Sequence, residues 1–335
     1  MKTSALVAAA CLAATGAMTS PSHAATYALT DRIKMGDGNF DYSSFDPVHR
    51  RLYVSRVGGV LALDVDTKAV TEQLTAAQRT HESLPLDDGK ELLITDSGSN
   101  TAHLVDAMTG KALAEIPTGK KPDAAIFDPA SGLALAMNGQ SGDVTLIDPA
   151  TRKAVGSIAI GGALEFAAAD GAGKVFVNIE DKGQIAVLDT KARTLVGRYD
   201  LKGCEEPSGM IYAPEAGVLI SACANGVAKV LTAATGEEVA TLTIGKGPDA
   251  VIYDEARKLA FIPCGRTGVL EVIAVRGPKD VAIVQTVKTQ IGARSGAVDP
   301  KTGVLYLPTA TYTLSAAGRP TPTPGTFAIL VVSPN

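Results

Sequence analysis

Apolar residues in this chain come in short β-branched or leucine-rich runs, each entered through a small polar turn. The phrase returns as FDPVHRRLYVS, LPLDDGKELLIT, FDPASGLALAM, AADGAGKVFVN, YAPEAGVLIS, YDEARKLAFIP and VDPKTGVLYLP. The first apolar residue after each turn is Leu52, Leu92, Leu133, Val175, Val218, Leu259 and Val304, at successive spacings of 40, 41, 42, 43, 41 and 45 residues. A second pattern follows each run after a polar loop: VLALD, AHLVD, DVTLID, QIAVLD, VAKVL and VLEVIAV. These runs alternate apolar and polar positions between turn residues and read as strands, and no 3.6-residue helical period occurs. Turns such as DVDTKAV, DAMTGKAL, DPATRKAV, DTKARTLV and TAATGEEV then lead to a fourth, more polar strand. A period near 40 residues holding four short strands is the signature of a β-propeller. Seven copies predict an all-β, seven-bladed β-propeller with four antiparallel strands per blade.

The last copy is incomplete, because the chain ends just after its third strand, FAILVV. The segment TYALTDRIKMG has the character of the missing strand, so Tyr27 to Lys34 is expected to close the ring as the outer strand of the final blade. Closure removes sheet edges that would otherwise template aggregation.

The first residues carry a different signal. Lys2, an apolar stretch from Ala5 to Ala14 and the small-x-small ending Ser22-His23-Ala24 read as a signal peptide cleaved near Ala24. The apolar stretch falls short of the ~20 residues needed to span a bilayer. The expected organisation is a signal peptide over 1–24 and a single propeller domain over 25–335, periplasmic or secreted, monomeric and without a transmembrane segment. Processing would leave 30 basic against 35 acidic residues with no basic run, which argues against a general grip on nucleic acid. It would also leave Cys204, Cys223 and Cys264. An odd number in an oxidising compartment suggests one bridge and one spare thiol. Cys204 precedes a blade's first strand and Cys223 ends its second, which puts both on one rim and predicts a Cys204–Cys223 disulfide.

Repeat symmetry also locates candidate chemistry. Ten residues before each anchor, in the loop entering the innermost strand, stand Glu82, Asp123, Glu165, Ser208, Asp249 and Arg294, with Asp41 equivalent in the first repeat. Tyr42, His81, Phe166 and Glu206 are their neighbours. The loop five residues after each anchor should line the same face with Ser97, Asn138, Glu180, Cys223, Cys264 and Thr309, beside Asn178, Asp181, Asn225 and Arg266. The candidate ligand-binding set is Asp41, Tyr42, His81, Glu82, Asp123, Asn138, Glu165, Asn178, Glu180, Glu206, Asp249 and Arg294. Five like charges in one concavity call for protons, a cation or a cationic ligand. Ca2+ or Mg2+ held by Asp123, Glu165 and Asp249 would suit an oxygen-rich donor set better than zinc. The alternative stands beside it: Asp and Asn in such loops accept backbone N–H groups and can be blade architecture alone. His49 falls in a surface turn and His103 in a third strand, whereas His81 adjoins the basin. The segment TYTLSAAGRPTPTPGT, an insertion after the last blade's second strand, is expected over the same mouth.

Several phrases resemble the YVTN-repeat group of periplasmic propellers, in particular YncE-like proteins. They are D-P-x-x-x-x-L-Y-V-S at Asp46 to Ser55, G-x-x-P-D-A-x-x-F-D-P at Gly119 to Pro129, V-x-V-N-I-E-D-K at Val175 to Lys182, C-E-E-P-S-G at Cys204 to Gly209 and G-A-R at Gly292 to Arg294. Two departures touch the first blade: Phe40 stands where the group often has tryptophan, and the RVGGV loop lacks a polar turn. The resemblance implies shape more than activity, since one fold hosts many functions. The first expectation is a binding or scaffold protein that holds a small molecule or a periplasmic protein at the polar mouth of its channel. The second is a metal-assisted, lactone hydrolase-like enzyme, with catalytic candidates His81 and Glu165 activating water and Arg294 meeting the oxyanion. The third, nucleic-acid binding, is suggested by the resemblance and disfavoured by the acidic mouth. No G-x-S-x-G, H-E-x-x-H, P-loop, G-x-G-x-x-G or C-x-x-C-H motif is present.

Overall fold

A computed structural model describes residues 26–314 and 320–335, so the expected signal peptide and Cys11 lie outside the described residues. The chain is a β-propeller of four-stranded antiparallel blades. Its third repeat shows how sequence makes a blade. The strands Pro122–Asp128, Leu133–Asn138, Asp143–Asp148 and Lys153–Ala159 pair in order from channel to rim. Successive side chains of a strand point to opposite faces. Leu133, Leu135 and Met137 therefore pack on one neighbouring repeat, against Val175, Val177 and Ile179. Ala134 and Ala136 pack on the other, with Leu93 and Leu104. Both faces are buried, which is why the anchored strand reads as an unbroken apolar run instead of an alternating one. The rim strand alternates with solvent, and most of Lys153–Ala159 is exposed.

The turns that punctuate each repeat are built by their aspartates. Asp64 accepts the backbone N–H groups of Asp66 and Thr67, and Asp106 those of Met108 and Thr109. At the same end of the strands, in the turns after the innermost strand, buried Asp128 accepts from the hydroxyls of Ser131 and Thr190, and buried Asp299 meets Arg50 at 3.0 Å. For these residues the architectural alternative holds. His49 also belongs to a turn, 2.8 Å from Asp46, and His103 lies in the strand Thr101–Asp106.

The closing strand falls where the incomplete last repeat requires it. Tyr27–Lys34 pairs with Ala328–Pro334 from Tyr27 opposite Pro334 to Lys34 opposite Ala328. Gln285 of the neighbouring repeat clamps it, accepting from the Tyr27 N–H and donating to its carbonyl, both at 2.8 Å.

The seven expected blades do not appear as seven separate sheets. Among the described residues five sheets have four strands and one has six, beside a two-stranded ribbon. The first two repeats share the six-stranded sheet. Arg51–Asp64 is one 14-residue run and Val70–Leu86 one of 17. The first reverses on itself at Gly58 and Gly59, whose φ of +94° and +143° suit glycine. Val65 donates to the Arg50 carbonyl across that reversal, as Ala107 donates to Lys90 and Thr190 to Gly173 in later repeats. The RVGGV turn is too tight to interrupt the strand. The second run passes without a loop from pairing with the first repeat to pairing with Glu91–Asp96.

Cys204 and Cys223 form the expected disulfide across 19 residues, and Cys264 is a buried thiol whose pKa burial pushes up to about 12. Closing a loop of this size stabilises a fold by ~2–4 kcal/mol. The Cys204→Ser/Cys223→Ser variant should lose about that much in urea unfolding, and an unchanged midpoint would remove the bridge from the stability of the ring. Among the described residues no helix is long and apolar enough to cross a membrane.

Candidate functional site

The loops entering the inner strands share one backbone device. In Lys121-Pro122-Asp123, Glu206-Pro207-Ser208 and Gly247-Pro248-Asp249 the chain turns through the left-handed region just before a proline, with φ of +55°, +49° and +68°. A non-glycine residue there costs about 1–2 kcal/mol. Lys121 and Glu206 are thus kept where glycine fits more easily, and each belongs to the mouth. Lys121 holds Asp123 at 3.0 Å, and Glu206 lines a cavity.

His81 organises the first group of acids. Its Nδ1 lies 2.7 Å from Asp41 Oδ2 and 3.3 Å from Asp123 Oδ1, and its Nε2 lies 2.9 Å from Ser97 Oγ. Beside the first repeat, Arg294 Nε donates to Asp249 Oδ2 at 2.7 Å, and its guanidinium lies 5.3 Å over the Phe40 ring. Buried Tyr42 donates its hydroxyl to Glu165 Oε2 at 3.3 Å and packs edge-on against Phe166.

Burial sets the protonation of this group. Desolvation pushes Glu82 from the ordinary 4.5 to about 8, helped by the charges of Asp41 and Asp123 against a Ser83 N–H that favours the anion. Desolvation and the Asp123 and Glu180 charges push Glu165 up to about 9. Asp123 and Asp249 are raised by burial, against the pull of His81 and Lys121 on the first and Arg294 on the second. Burial draws the His81 pKa down, but the Asp41 hydrogen bond and the Asp123 charge outweigh it and the net shift is upward.

The expected ring therefore separates by depth. Glu82 and Asp123 are each only 4% exposed and, with His81, Glu165 and Tyr42, form a closed floor. Asp41, Glu180, Glu206, Asp249 and Arg294 stay open as a rim. Two expected contacts are corrected. Asn138 and Asn178 are fully buried and face into the blades. Asn138 donates to Asp143 and Thr145, and Asn178 bridges to Ser208 and Ser221 of the next repeat. Asn178 is thus engaged at both ends, whereas Asn138 Oδ1 is buried with no hydrogen-bond partner among the described residues.

The rim frames a cavity of about 520 Å³ lined by Glu180, Glu206, Asp249, Arg266, Arg294 and Tyr312, among others. Tyr312 and Thr313, at the start of the proline-rich insertion, line this cavity. Lys121 and Tyr312 were outside the candidate set. Lys121 was visible in principle, because G-K-K-P-D-A at Gly119 repeats as G-K-G-P-D-A at Gly245, with lysine standing in place of glycine.

The donor set does not fit the expected hard cation. Calcium takes six to eight oxygen ligands, ionised carboxylates among them. Here Asp123 and Asp249 already have cationic partners, and Glu165 holds its proton at neutral pH. Among the described residues no three His, Cys, Asp or Glu side chains gather as a metal-holding group. The charge that seemed to require a metal is answered by two protons, a lysine, an arginine and an imidazole.

No protein-family profile matches the chain, and no curated protein does. Solved structures match it in shape. Kuenenia stuttgartiensis hydrazine synthase aligns with a TM-score of 0.71 at 15% identity, over 87% of this chain and 97% of that one. A chain of a mitotic checkpoint complex aligns at 0.74 and 12%, over 98% of each. U3-55K aligns at 0.72 and 11%, over 90% of this chain and 97% of that one. At such identities the likeness shows the propeller fold alone.

Proposed function

We propose that this chain is an exported, seven-bladed propeller of the YVTN-repeat kind that binds a small cationic ligand at its mouth. The seven-blade count rests on the six-stranded sheet. Its folded-back run supplies two strands, and its 17-residue run supplies the outer strand of one blade and the inner strand of the next. Eight strands make two blades of four. Export is supported by the leader-like first residues and by the disulfide.

The observation that carries the binding reading is the pairing of Glu180 with Glu206 in the 520 Å³ cavity. The Glu180 carboxyl is raised by burial first and then by the charge of Glu206. An ammonium group between them would relieve that repulsion, with the Tyr312 ring offering a cation–π face. Binding would draw that raised pKa back down, so affinity should increase as pH rises. Calorimetry with 1,4-diaminobutane as the probe should give saturable binding that tightens as the pH is raised. Glu180→Gln/Glu206→Gln should weaken it at least tenfold, about 1.4 kcal/mol. An absence of saturable binding by any organic cation would overturn the reading.

A further inference from the structure

The contacts of His81 describe more than an ion pair. Its Nδ1 faces only carboxylate oxygens, Asp41 at 2.7 Å and Asp123 at 3.3 Å, which accept hydrogen bonds. The neutral ring must then carry its proton on Nδ1, leaving the Nε2 lone pair toward Ser97 Oγ at 2.9 Å. The other contact of that hydroxyl, to the Arg79 carbonyl, is longer at 3.4 Å. We propose that Ser97, His81 and Asp41 form a nucleophile, base and orienting carboxylate for hydrolysis of a small ester. Such a constellation is recognised by geometry and roles, not by order along the chain. Two loops and one strand supply it here. Asp41 comes from the first entry loop, His81 from the continuous run Val70–Leu86 and Ser97 from the loop after Glu91–Asp96.

Chemistry follows from the placement. Ser97 Oγ attacks the ester carbonyl carbon while its proton passes to His81 Nε2. The carbonyl–oxygen bond to the leaving group then breaks, and the departing alkoxide takes that proton. Water, giving its proton to the same nitrogen, attacks the acyl-serine and releases a carboxylic acid with the serine restored. Asp41 acts through His81 as a positioning residue, and Asp123 shares its task on the floor side.

The oxyanion cannot use the backbone at the nucleophile. The Ser97 N–H is given to the Arg79 carbonyl and the Gly98 N–H to Asp96. A side-chain cation takes that role. Exposed Arg79 lines a cleft of about 290 Å³ with Phe40, Asp41, Arg56, Val57 and Arg294. Arg56 is engaged by Glu72 and the Gly36 and Asp37 carbonyls, and Arg294 by Asp249 and the Phe40 carbonyl, so the exposed guanidinium of Arg79 is the one that would favour an ester with an anionic group on its acyl side. Val57, which is exposed, provides an apolar wall for its carbon chain. This cleft adjoins the cavity of the cationic ligand, and Arg294 and Tyr312 line both. The two readings are therefore tested separately.

The test uses the full chain with 4-nitrophenyl hemisuccinate as substrate and a fluorophosphonate as active-site label. Expected results are turnover, one label per chain on Ser97, and loss of both in Ser97→Ala with an unchanged melting temperature. Ser99→Ala, two residues away, should behave as wild type. Asp41→Asn presents an amide to Nδ1 and favours the wrong tautomer, so kcat should fall by about 10³-fold or more at constant KM, with Asp41→Glu restoring some of it. Hydrolysis that survives Ser97→Ala, or a folded wild type that neither turns over nor takes the label, would overturn the assignment.

Discussion

Raising the pH from 5 to 8.5 should destabilise this protein, and Glu82→Gln should remove much of the loss. Glu82 ionises at 4.5 when solvated but near 8 in the folded chain. Between those values the folded state holds a proton that the unfolded state has released. Stability linked to this group is therefore complete below about pH 4.5 and drains away as pH rises toward 8. The full separation corresponds to about 4 kcal/mol by pH 8, at 1.36 kcal/mol per pH unit. Glu165, near 9, and the raised His81, Asp123 and Asp249 act in the same direction. The turn aspartates oppose them only in strong acid. Asp64 and Asp106, for instance, are lowered by hydrogen bonds from Thr67 and Thr109, and their stabilisation disappears below about pH 4. Urea midpoints at pH 5, 7 and 8.5 read the effect directly. Glutamine keeps the shape of Glu82 without its charge, so the variant should overtake wild type above about pH 6. Parallel curves for the two proteins would mean that Glu82 ionises as it does in water.

Two substitutions at Tyr27 should move stability by very different amounts. Its ring is 2% exposed and meets Phe261 edge-on at 4.9 Å, fixing the closing strand to the neighbouring repeat. Tyr27→Ala should cost ~3–5 kcal/mol, the range for emptying a buried aromatic site. The hydroxyl is another matter. It is buried with no hydrogen-bond partner among the described residues, and burial pushes its pKa up to about 12. An unpaired buried polar group is a net cost, so Tyr27→Phe should be neutral or stabilising by up to ~1 kcal/mol. Urea unfolding of both variants separates the contributions of ring and hydroxyl. A phenylalanine variant as damaged as the alanine one would show that the hydroxyl, not the ring, secures the latch.

The closing strand was legible because a missing strand at one end and a spare one at the other are facts of pattern. The disulfide was legible because the register puts Cys204 and Cys223 on one rim. Depth was not legible. Repeat spacing fixes the angular position of Glu82 or Asp123 around the channel, but how far each side chain descends depends on the residues facing it from neighbouring blades. Glu82 and Glu206 thus looked alike in the sequence, although one is sealed in the floor and the other stands in the open. The same blindness made five acids look like a metal site, because His81 and Arg294 meet their carboxylates through contacts that cross repeats, while Lys121 pairs with Asp123 inside one loop. The shared sheet escaped for a local reason: Val70–Leu86 passes from pairing with the first repeat to pairing with the second with no glycine, asparagine or aspartate to mark a boundary.

That shared sheet bears on how the ring comes apart. Elsewhere the described repeats meet as separate sheets, through side-chain packing and a few hydrogen bonds such as those from the Asp249 and Ala250 N–H groups to the Arg294 carbonyl. Between the first two, the backbone of Val70–Leu86 is itself the joint, hydrogen-bonded to both sides. Local opening spreads most easily where few such bonds must break together. Fraying that starts at any other seam would stop at this one, and the two repeats would be lost as a single cooperative body. His81 and Arg79 sit on the strand that spans the joint, in the region of the ring least free to breathe.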